Sequence, residues 1–260
     1  MTLKNIHLHL FGKCNICGRP TIFLCLDVIS ARNNMVCIYC RSSSRKRHVA
    51  NIVIKMIFND KKISSIKDIP KFKDKFIYNT ASNDALSMVL KNYISYICSE
   101  LLPNVKPGTQ IGERVFCQNL ENLTFSDDSF DIIITEDVFE HVRDHIKGFR
   151  EIHRVLKDGG FHVFTVPCNF DRPTLIRVDT NTDKDIMLLP PEYHGDYLRG
   201  SILAYRTFGI DLFDLLKSLN YITRVYFSRY DDLRFGIVEG YVFMSQKVKS
   251  GDPIQNDNRL

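Results

Sequence analysis

The chain has 260 residues, of which 44% are hydrophobic, so it can bury one substantial core beside a small accessory module. No run approaches the eighteen apolar residues of a membrane span, which excludes a transmembrane helix. The net charge is +5, but residues 1–75 hold 15 Lys/Arg against 4 Asp/Glu and residues 76–260 hold 20 against 26. The basic front predicts an acidic partner or, alternatively, only a solvated positive surface.

The first residues, MTLKNIHLHLFGKC, lack the apolar core of a secretory signal peptide. We therefore expect a cytoplasmic protein whose eight cysteines lie in a reducing compartment. In that compartment metal binding or free thiols are more common than disulfides.

Two Cys-x-x-Cys pairs, Cys14/Cys17 and Cys37/Cys40, are separated by nineteen residues. This spacing is typical of a four-cysteine zinc ribbon, in which two turns each present two thiolates to a tetrahedral ion. Four thiolates leave no open coordination position, so the predicted zinc is structural. Cys25, in the apolar run between the pairs, is predicted to be a buried thiol. The alternative is four free thiols in a small domain with almost no core.

A basic segment, RSSSRKRH at residues 41–48, follows the second pair directly. Its charge fits two interpretations: a grip on a phosphate or RNA backbone, or a cap that solvates the next helix. We expect that helix from Val49 to Phe58 and a polar linker over residues 59–75.

An α/β pattern begins at residue 76. Strands are predicted at Phe76–Thr80, Tyr93–Cys98, Arg114–Cys117, Phe130–Thr135, Phe161–Val166, Tyr221–Arg229 and Gly240–Lys247. Helices are predicted at Ala85–Asn92, from the acids near Asp144 to the stop at Asp158–Gly160, and at Gly209–Leu219. Two buried strands joined by the helix before Asp158 indicate a right-handed parallel crossover.

Polar residues follow the strands of this crossover at the point where each strand ends. Ligands of open parallel sheets bind beyond the carboxyl ends of the strands. We therefore expect one crevice lined by Glu136, Asp137, Glu140, His141, Cys168 and Asn169.

Three linked segments of residues 119–167 carry a family resemblance: LTFSDDSFDIIITEDVFEHV, FREIHRVLKDGG and FTVP. In these motifs and their order the chain resembles the class I S-adenosylmethionine-dependent methyltransferases. The resemblance implies a Rossmann-like, mostly parallel seven-stranded sheet with helices on both faces, and S-adenosylmethionine as cofactor. An inert α/β core is the alternative.

The resemblance also implies cofactor contacts. Residues 81–84 stand where the family has a glycine-rich turn, but they contain no glycine. Asn83 can adopt a left-handed conformation there. The missing glycines leave weak or absent cofactor binding as an alternative. Glu100 is implied as the ribose ligand, since a carboxylate accepts two hydrogen bonds, although an exposed acid is the alternative. Asn119 replaces an Asp that contacts adenine. The implied cofactor-binding residues are Asn79, Thr80, Ala81, Glu100, Asn119, Leu120, Glu136 and Asp137.

A long irregular run from Cys168 to Arg206 is typical of a lid or substrate loop. Its Tyr193, His194 and Asp196 resemble a Y-H-G-D element of related methyltransferases and are predicted to bind the substrate. His141 and His194 are the candidate catalytic bases, because histidine accepts a proton at neutral pH. Alternatively, His141 only braces the crevice and His194 only holds the loop closed.

Together these patterns predict a zinc ribbon with a basic helix and linker over residues 1–75, a class I methyltransferase domain over residues 76–250 and a flexible tail over residues 251–260. The predicted function is S-adenosylmethionine-dependent methylation at oxygen or nitrogen of a small or carrier-linked molecule. One alternative is an RNA methyltransferase whose ribbon binds RNA. The other is a non-catalytic binding protein that keeps the fold.

Overall fold

The structure is a computed structural model that describes residues 8–25, 27–60, 62–71, 75–196 and 198–248. The predicted flexible tail lies outside the described residues. Three antiparallel strands form a first sheet in the order β1-β2-β3, with β1 at Leu8–Lys13, β2 at Pro20–Cys25 and β3 at Met35–Cys37. A single helical turn, α1 at Ala31–Asn34, joins β2 to β3.

Two turns of matching geometry bring the four paired cysteines together. In each turn the fifth residue donates its N–H to the carbonyl of the first cysteine, Gly18 to Cys14 at 2.8 Å and Arg41 to Cys37 at 3.0 Å. Both donors have left-handed backbones, with φ of 74° and 60°. Glycine adopts that conformation at little cost, whereas arginine is strained there. The four sulfur atoms lie within 4.8 Å of one another.

The basic segment begins a helix earlier than predicted. Helix α2 runs from Ser44 to Ile52 and continues as a π-helix at Val53–Phe58. Its early start follows from Ser43, whose side chain accepts from the backbone N–H of Lys46 at the helix N-terminus.

The predicted polar linker at 59–75 is wrong where the structure describes it. A 3₁₀-helix occupies Ile66–Lys71, and the side chains of Ile63, Ile66 and Ile69 are buried. Their spacing of three matches the 3₁₀ repeat, so one apolar edge of this segment packs into the core.

The remaining strands form one large sheet and three small two-stranded sheets. Strands β4 to β9 span Ile77–Asn79, Tyr96–Glu100, Gln110–Gly112, Val115–Cys117, Phe130–Glu136 and Leu156–Thr165. Strands β10 to β15 span Leu175–Ile176, Val178–Asp179, Ile186–Met187, Tyr193–Asp196, Gly200–Leu203 and Arg206–Thr207, and β16 and β17 span Tyr221–Phe227 and Tyr241–Lys247. Helices α3, α4 and α5 span Ala85–Leu90, His145–Val155 and Leu212–Ser218, with 3₁₀-helices at Phe139–His141 and Tyr230–Phe235.

The large sheet has the order β16-β17-β9-β8-β4-β5-β7-β6 in the described part of the chain. Strands β9, β8, β4, β5 and β7 pair in parallel, whereas β17, β16 and β6 pair antiparallel. The prediction of a mostly parallel Rossmann-like sheet is confirmed. The short edge strand β6 adds an eighth strand to the seven expected.

Two predicted boundaries inside this sheet are wrong. Helix α4 ends at Val155, not at Gly159, because Leu156 already pairs with Phe130 of β8. A β-bulge then shifts the register before the ladder resumes, so the two glycines lie within β9. Strand β5 starts at Tyr96, and Glu100 is its last residue instead of following it.

Alternate residues of the central strands feed two hydrophobic clusters. Ile132 and Ile134 of β8 belong to the cluster that contains Leu86 of α3, while Ile133 belongs to the cluster that contains Phe149 of α4. Since successive side chains of a strand point to opposite faces, helices cover both faces of the sheet as predicted. Within the described residues, no helix combines the length and apolar character needed to cross a membrane.

Arg47 joins the cysteine-containing sheet to the segment before β17. Its side chain is fully buried and donates to the carbonyls of Phe235 at 2.7 Å, and of Met35 and Gly236 at 2.8 Å each. A further bond reaches the carbonyl of Ser42. Buried apolar residues of both regions form one continuous cluster. The boundary predicted at residue 75 stays a prediction.

Candidate functional site

A cavity of about 970 Å³ opens at the carboxyl ends of β4, β5, β7 and β8. Seven of the eight predicted cofactor-binding residues line it: Thr80, Ala81, Glu100, Asn119, Leu120, Glu136 and Asp137. Glu140, His141, His194 and Asp196 line the same cavity. The parallel sheet thus gathers the polar strand ends at one edge.

Three residues placed in the crevice by sequence do not line it. Cys168 and Asn169 follow β9, but only the preceding Pro167 reaches the cavity. Asn79 is buried, and its amide donates to the carbonyl of Ala81 at 3.1 Å and to the hydroxyl of Ser87 at 3.2 Å. Asn79 therefore stabilises the turn after β4 by hydrogen bonds and does not face the cavity.

Asn83, in the glycine-free turn, does not adopt the left-handed conformation that its residue type allows. Among the described residues, it is not one of the non-glycine residues with positive φ. Asp84 makes such a conformation unnecessary. Its carboxylate accepts from the N–H of Ser87 at 2.7 Å and so caps α3 directly after the turn.

Glu100 braces this turn from the neighbouring strand. Its Oε1 accepts from the N–H of Ser82 at 2.7 Å and from the Ser82 hydroxyl at 2.8 Å. Asn119 closes its own turn, since its Oδ1 accepts from the N–H of Glu121 at 2.9 Å. A carboxylate and an amide oxygen each accept more than one bond, so these contacts leave the predicted ribose and adenine roles chemically open. Both roles stay predictions.

Asp137 binds two arginines from the cysteine-containing region. Arg32 donates to both carboxylate oxygens at 2.9 and 3.0 Å, and Arg45 also donates to one of them. Burial alone would raise the pKa of Asp137, but the charges of Arg45 and Arg32 outweigh it and hold that pKa below its usual range. The backbone of Asp137 is left-handed, with φ of 51°, which marks a strained position at the cavity edge.

Lys46 makes a second charged bridge across the cavity edge. Its ammonium lies 2.8 Å from a carboxylate oxygen of Asp84 and 3.1 Å from one of Glu136. Burial would lower the pKa of Lys46, but these two carboxylates outweigh it and raise that pKa. Sequence reasoning missed this pairing. The opposite charge balances of residues 1–75 and 76–260 were its only signal.

His141 and His194 meet across the cavity. Nε2 of His141 lies 3.1 Å from Nδ1 of His194, and the rings are perpendicular. The second nitrogen of His141 lies 2.8 Å from the carbonyl oxygen of Leu203, and that of His194 lies 3.0 Å from Oε1 of Glu192. Burial lowers the pKa of His141, which favours its neutral form.

Glu140 lies beneath this pair with no accessible surface. Neither of its carboxylate oxygens has a hydrogen-bond partner among the described residues. Burial, aided by the Asp137 charge, raises the pKa of Glu140 to about 8. The buried Arg206 fixes this 3₁₀ segment by donating to the carbonyls of Phe139 and Val142. Sequence analysis placed Glu140 in the crevice but gave it no chemical role.

The run from Cys168 to Arg206 forms short antiparallel strand pairs instead of an irregular loop. Strand β13 carries the Y-H-G-D element, and its alternation sends His194 and Asp196 to the cavity while Tyr193 remains 57% exposed. Tyr193 does not line the cavity, and its substrate role stays a prediction. Asp196 accepts from the guanidinium of Arg199 at 2.8 Å.

Comparison with known sequences gives one family match. Residues 84–164 match the family described as a methyltransferase domain. An uncharacterised protein of Methanocaldococcus jannaschii is 29% identical over 115 residues, which are 44% of each chain. The chain therefore aligns with less than half of that relative's length. The match covers residues 84–164 of the methyltransferase domain predicted over residues 76–250, and the bounds of that domain stay a prediction.

Several solved structures are similar to this chain at low sequence identity. A Pyrococcus horikoshii protein is 14% identical, with a TM-score of 0.45 over 78% of this chain and 90% of its own. A SAM-dependent methyltransferase of Methanosarcina mazei is 16% identical, with a TM-score of 0.40 over 68% and 93%. The Burkholderia thailandensis 1,6-didemethyltoxoflavin-N1-methyltransferase is 14% identical, with a TM-score of 0.39 over 77% and 87%.

Proposed function

We propose that the chain transfers the methyl group of S-adenosylmethionine to oxygen or nitrogen of a small or carrier-linked acceptor. The match of residues 84–164 to a methyltransferase domain supports this proposal. One observation carries the proposal. Seven residues implied as cofactor contacts by sequence line a single cavity of about 970 Å³, at the sheet edge where such folds bind ligands. That volume lies at the upper end of the range for small-molecule pockets.

The cavity residues suit the parts of this cofactor. Glu100, at the end of β5, would accept from the ribose hydroxyls, and Asn119 would face the adenine. Arg45 and Lys46 are about four-fifths buried at the same edge and supply positive charge toward a methionine carboxylate. These cations would replace the backbone amides that a glycine-rich turn offers. The bound cofactor supplies a methyl group on a sulfonium.

Transfer to a protonated acceptor also needs a group that takes up the proton. His141 and His194 both line the cavity, and burial favours the neutral form of His141. A neutral imidazole can accept a proton at neutral pH. The hairpin that carries His194 would align the acceptor and exclude water.

We also propose that Cys14, Cys17, Cys37 and Cys40 bind one structural zinc ion. Their sulfur atoms lie within 4.8 Å of one another, and Cys14 and Cys40 are 3.6 Å apart. Zinc–sulfur bonds of about 2.3 Å in a tetrahedron place sulfur atoms about 3.8 Å apart, so the cluster fits. Hydroxyls at Ser42 and Thr21 contact these sulfurs, as outer partners of metal thiolates do.

A specific observation favours the non-catalytic alternative. Lys46 and the two arginines already neutralise the acids at the cavity edge, and the first turn contains no glycine. A cofactor would have to compete with these bridges. The RNA-binding alternative is less supported, since Arg45 and Lys46 face inward and Arg47 is fully buried.

Calorimetry with S-adenosylhomocysteine tests the proposal. We expect the wild-type chain to bind it and Glu100→Ala to lose about 1.5–3 kcal/mol, the scale of hydrogen bonds to a charged group. Glu113→Ala is the matched control, because Glu113 is an exposed acid outside the cavity and its loss should leave affinity unchanged. No binding by the wild type would support the non-catalytic alternative, and equal affinity in Glu100→Ala would remove Glu100 from the site.

A second prediction concerns His141. With an acceptor found by screening hydroxyl and amine compounds for methyl uptake from labelled S-adenosylmethionine, His141→Ala should lower turnover about 10²-fold. Affinity for S-adenosylhomocysteine should stay nearly constant, because the histidine acts on the acceptor side. His153→Ala, a histidine on α4 that contacts Tyr221, should retain wild-type turnover. Normal turnover in His141→Ala would show that alignment alone drives the reaction.

A further inference from the structure

Glu140, His141 and His194 bring three potential ligand atoms into one small volume. Oε1 of Glu140 lies 3.8 Å from Nε2 of His141 and 3.8 Å from Nδ1 of His194. The two nitrogens are 3.1 Å apart. Ligand atoms around a tetrahedral zinc ion with bonds of about 2.0–2.1 Å lie about 3.3 Å apart, so the two nitrogens are correctly spaced and Glu140 would move about 0.5 Å closer on binding.

The outer contacts of the two imidazoles fix which nitrogens carry protons. Nδ1 of His141 faces the carbonyl oxygen of Leu203 at 2.8 Å, and a carbonyl can only accept. Nε2 of His194 faces the carboxylate of Glu192 at 3.0 Å, and an ionised carboxylate can only accept. Each of these nitrogens must therefore donate. If both imidazoles are neutral, the two nitrogens that face each other both present lone pairs, which repel at 3.1 Å unless a proton or a metal ion lies between them.

Glu140 supplies the negative charge such a cation requires. Its side chain has no accessible surface, and no described residue donates a hydrogen bond to either carboxylate oxygen. A buried ionised carboxylate without a partner is costly, so such a group is stable only as the neutral acid or when it coordinates a cation. Histidines that bind metals usually donate their other ring N–H to a backbone carbonyl or a carboxylate, as both histidines do here.

We propose that Glu140, Nε2 of His141 and Nδ1 of His194 bind one divalent transition-metal ion, with zinc as the best match to two imidazoles and one carboxylate. All three residues line the cavity, so a fourth coordination position faces the space where an acceptor would bind. Glu192 and the Leu203 carbonyl orient the two rings. This site is separate from the four-cysteine cluster.

The open position indicates the class of acceptor, an inference that rests on the proposed function. A hydroxyl bound to the ion through its oxygen would lose its proton to water more readily. The oxygen's electron pair would then form the bond to the methyl carbon, while the carbon–sulfur pair returns to sulfur. The metal site therefore favours a hydroxyl acceptor over an amine. With the ion bound, both histidines would be ligands, and this role would replace the proton-accepting role proposed above.

Metal analysis of the purified full-length chain, equilibrated with zinc and then desalted, tests the site. The wild type should hold two zinc equivalents, and His141→Ala and His194→Ala one each. Glu192→Gln, which leaves all three ligands in place, should weaken binding of the second zinc about 10–100-fold. His9→Ala removes an exposed histidine of β1 and should retain two equivalents. Circular dichroism of each variant confirms that it is folded.

Cobalt added to protein that holds one zinc equivalent, at the four cysteines, identifies the ligands of the second ion. A visible cobalt spectrum without a thiolate charge-transfer band, absent in His194→Ala, would support the site. A single zinc equivalent in the wild type, or two in both histidine variants, would overturn it and leave a shared proton between the histidines. Metal binding is measured without cofactor, so a chain that binds the second ion but no S-adenosylhomocysteine refutes only the proposed function.

Discussion

Replacing Cys37 by serine is expected to remove one zinc equivalent and to unfold the region around β1–β3. The thiol is fully buried beside three other sulfurs, and structural zinc contributes about 10–16 kcal/mol to the folding of small zinc peptides. That is comparable to the whole stability of an average domain. Because Arg32, Arg45 and Lys46 reach the cavity from this region, affinity for S-adenosylhomocysteine should fall as well.

Cys25→Ser is the matched control for this prediction. Cys25 is also fully buried and lies between the two pairs, but its sulfur contacts the carbonyl of Asp27 and is not part of the cluster. This variant should keep the zinc and lose far less stability. A Cys37→Ser protein that stays fully folded without its metal would contradict a structural role for the ion.

Arg47→Met should lower the free energy of unfolding by about 3–5 kcal/mol, the loss typical when one partner of a buried charged network is removed. Methionine fills similar volume but leaves the carbonyls of Met35, Phe235 and Gly236 without donors. It also removes a positive charge close to the thiolates. Burial lowers the pKa of Arg47 to about 10, so the group is charged at pH 7.

Urea unfolding of the wild type and variants measures this loss. Arg47→Lys keeps the charge but cannot reach the same carbonyls, so it should also destabilise the chain. Arg19→Met replaces an exposed arginine of the same region and should change the free energy of unfolding by less than about 0.5 kcal/mol. An unchanged urea midpoint of unfolding in Arg47→Met would show that the hydrogen bonds from the guanidinium to these carbonyls do not stabilise the fold.

Local patterns made the centre of the fold predictable. The run Phe130–Glu136 is apolar and β-branched, and Asp144 caps the helix that follows, so strand and helix are specified by adjacent residues. The cysteine turns are likewise local. The predicted start of β5 is wrong because Tyr93 and Tyr96 are both apolar enough to be buried, which is typical of a strand. In the structure Tyr93 belongs to a turn, where its carbonyl accepts from the N–H of Tyr96.

The site was less predictable because its main contacts join distant parts of the chain. Arg32 and Asp137 are 105 residues apart, and His141 and His194 are 53 apart, so spacing carries no signal for either pair. Arg47 could be taken for a solvated charge, since its acceptors are backbone carbonyls that every residue has. Only the fold shows that Glu140 lies beneath the histidines.

The contacts of Arg47 also set an order of events during synthesis. Its acceptors at Phe235 and Gly236 lie 188 and 189 residues further along the chain. At about 5–20 residues per second, the ribosome needs roughly 10–40 s to make that stretch. Throughout this interval the region around the cysteines, although translated first, lacks half of its arginine's partners. The region around the cysteines is therefore translated before residues 235–236 but completed only after them.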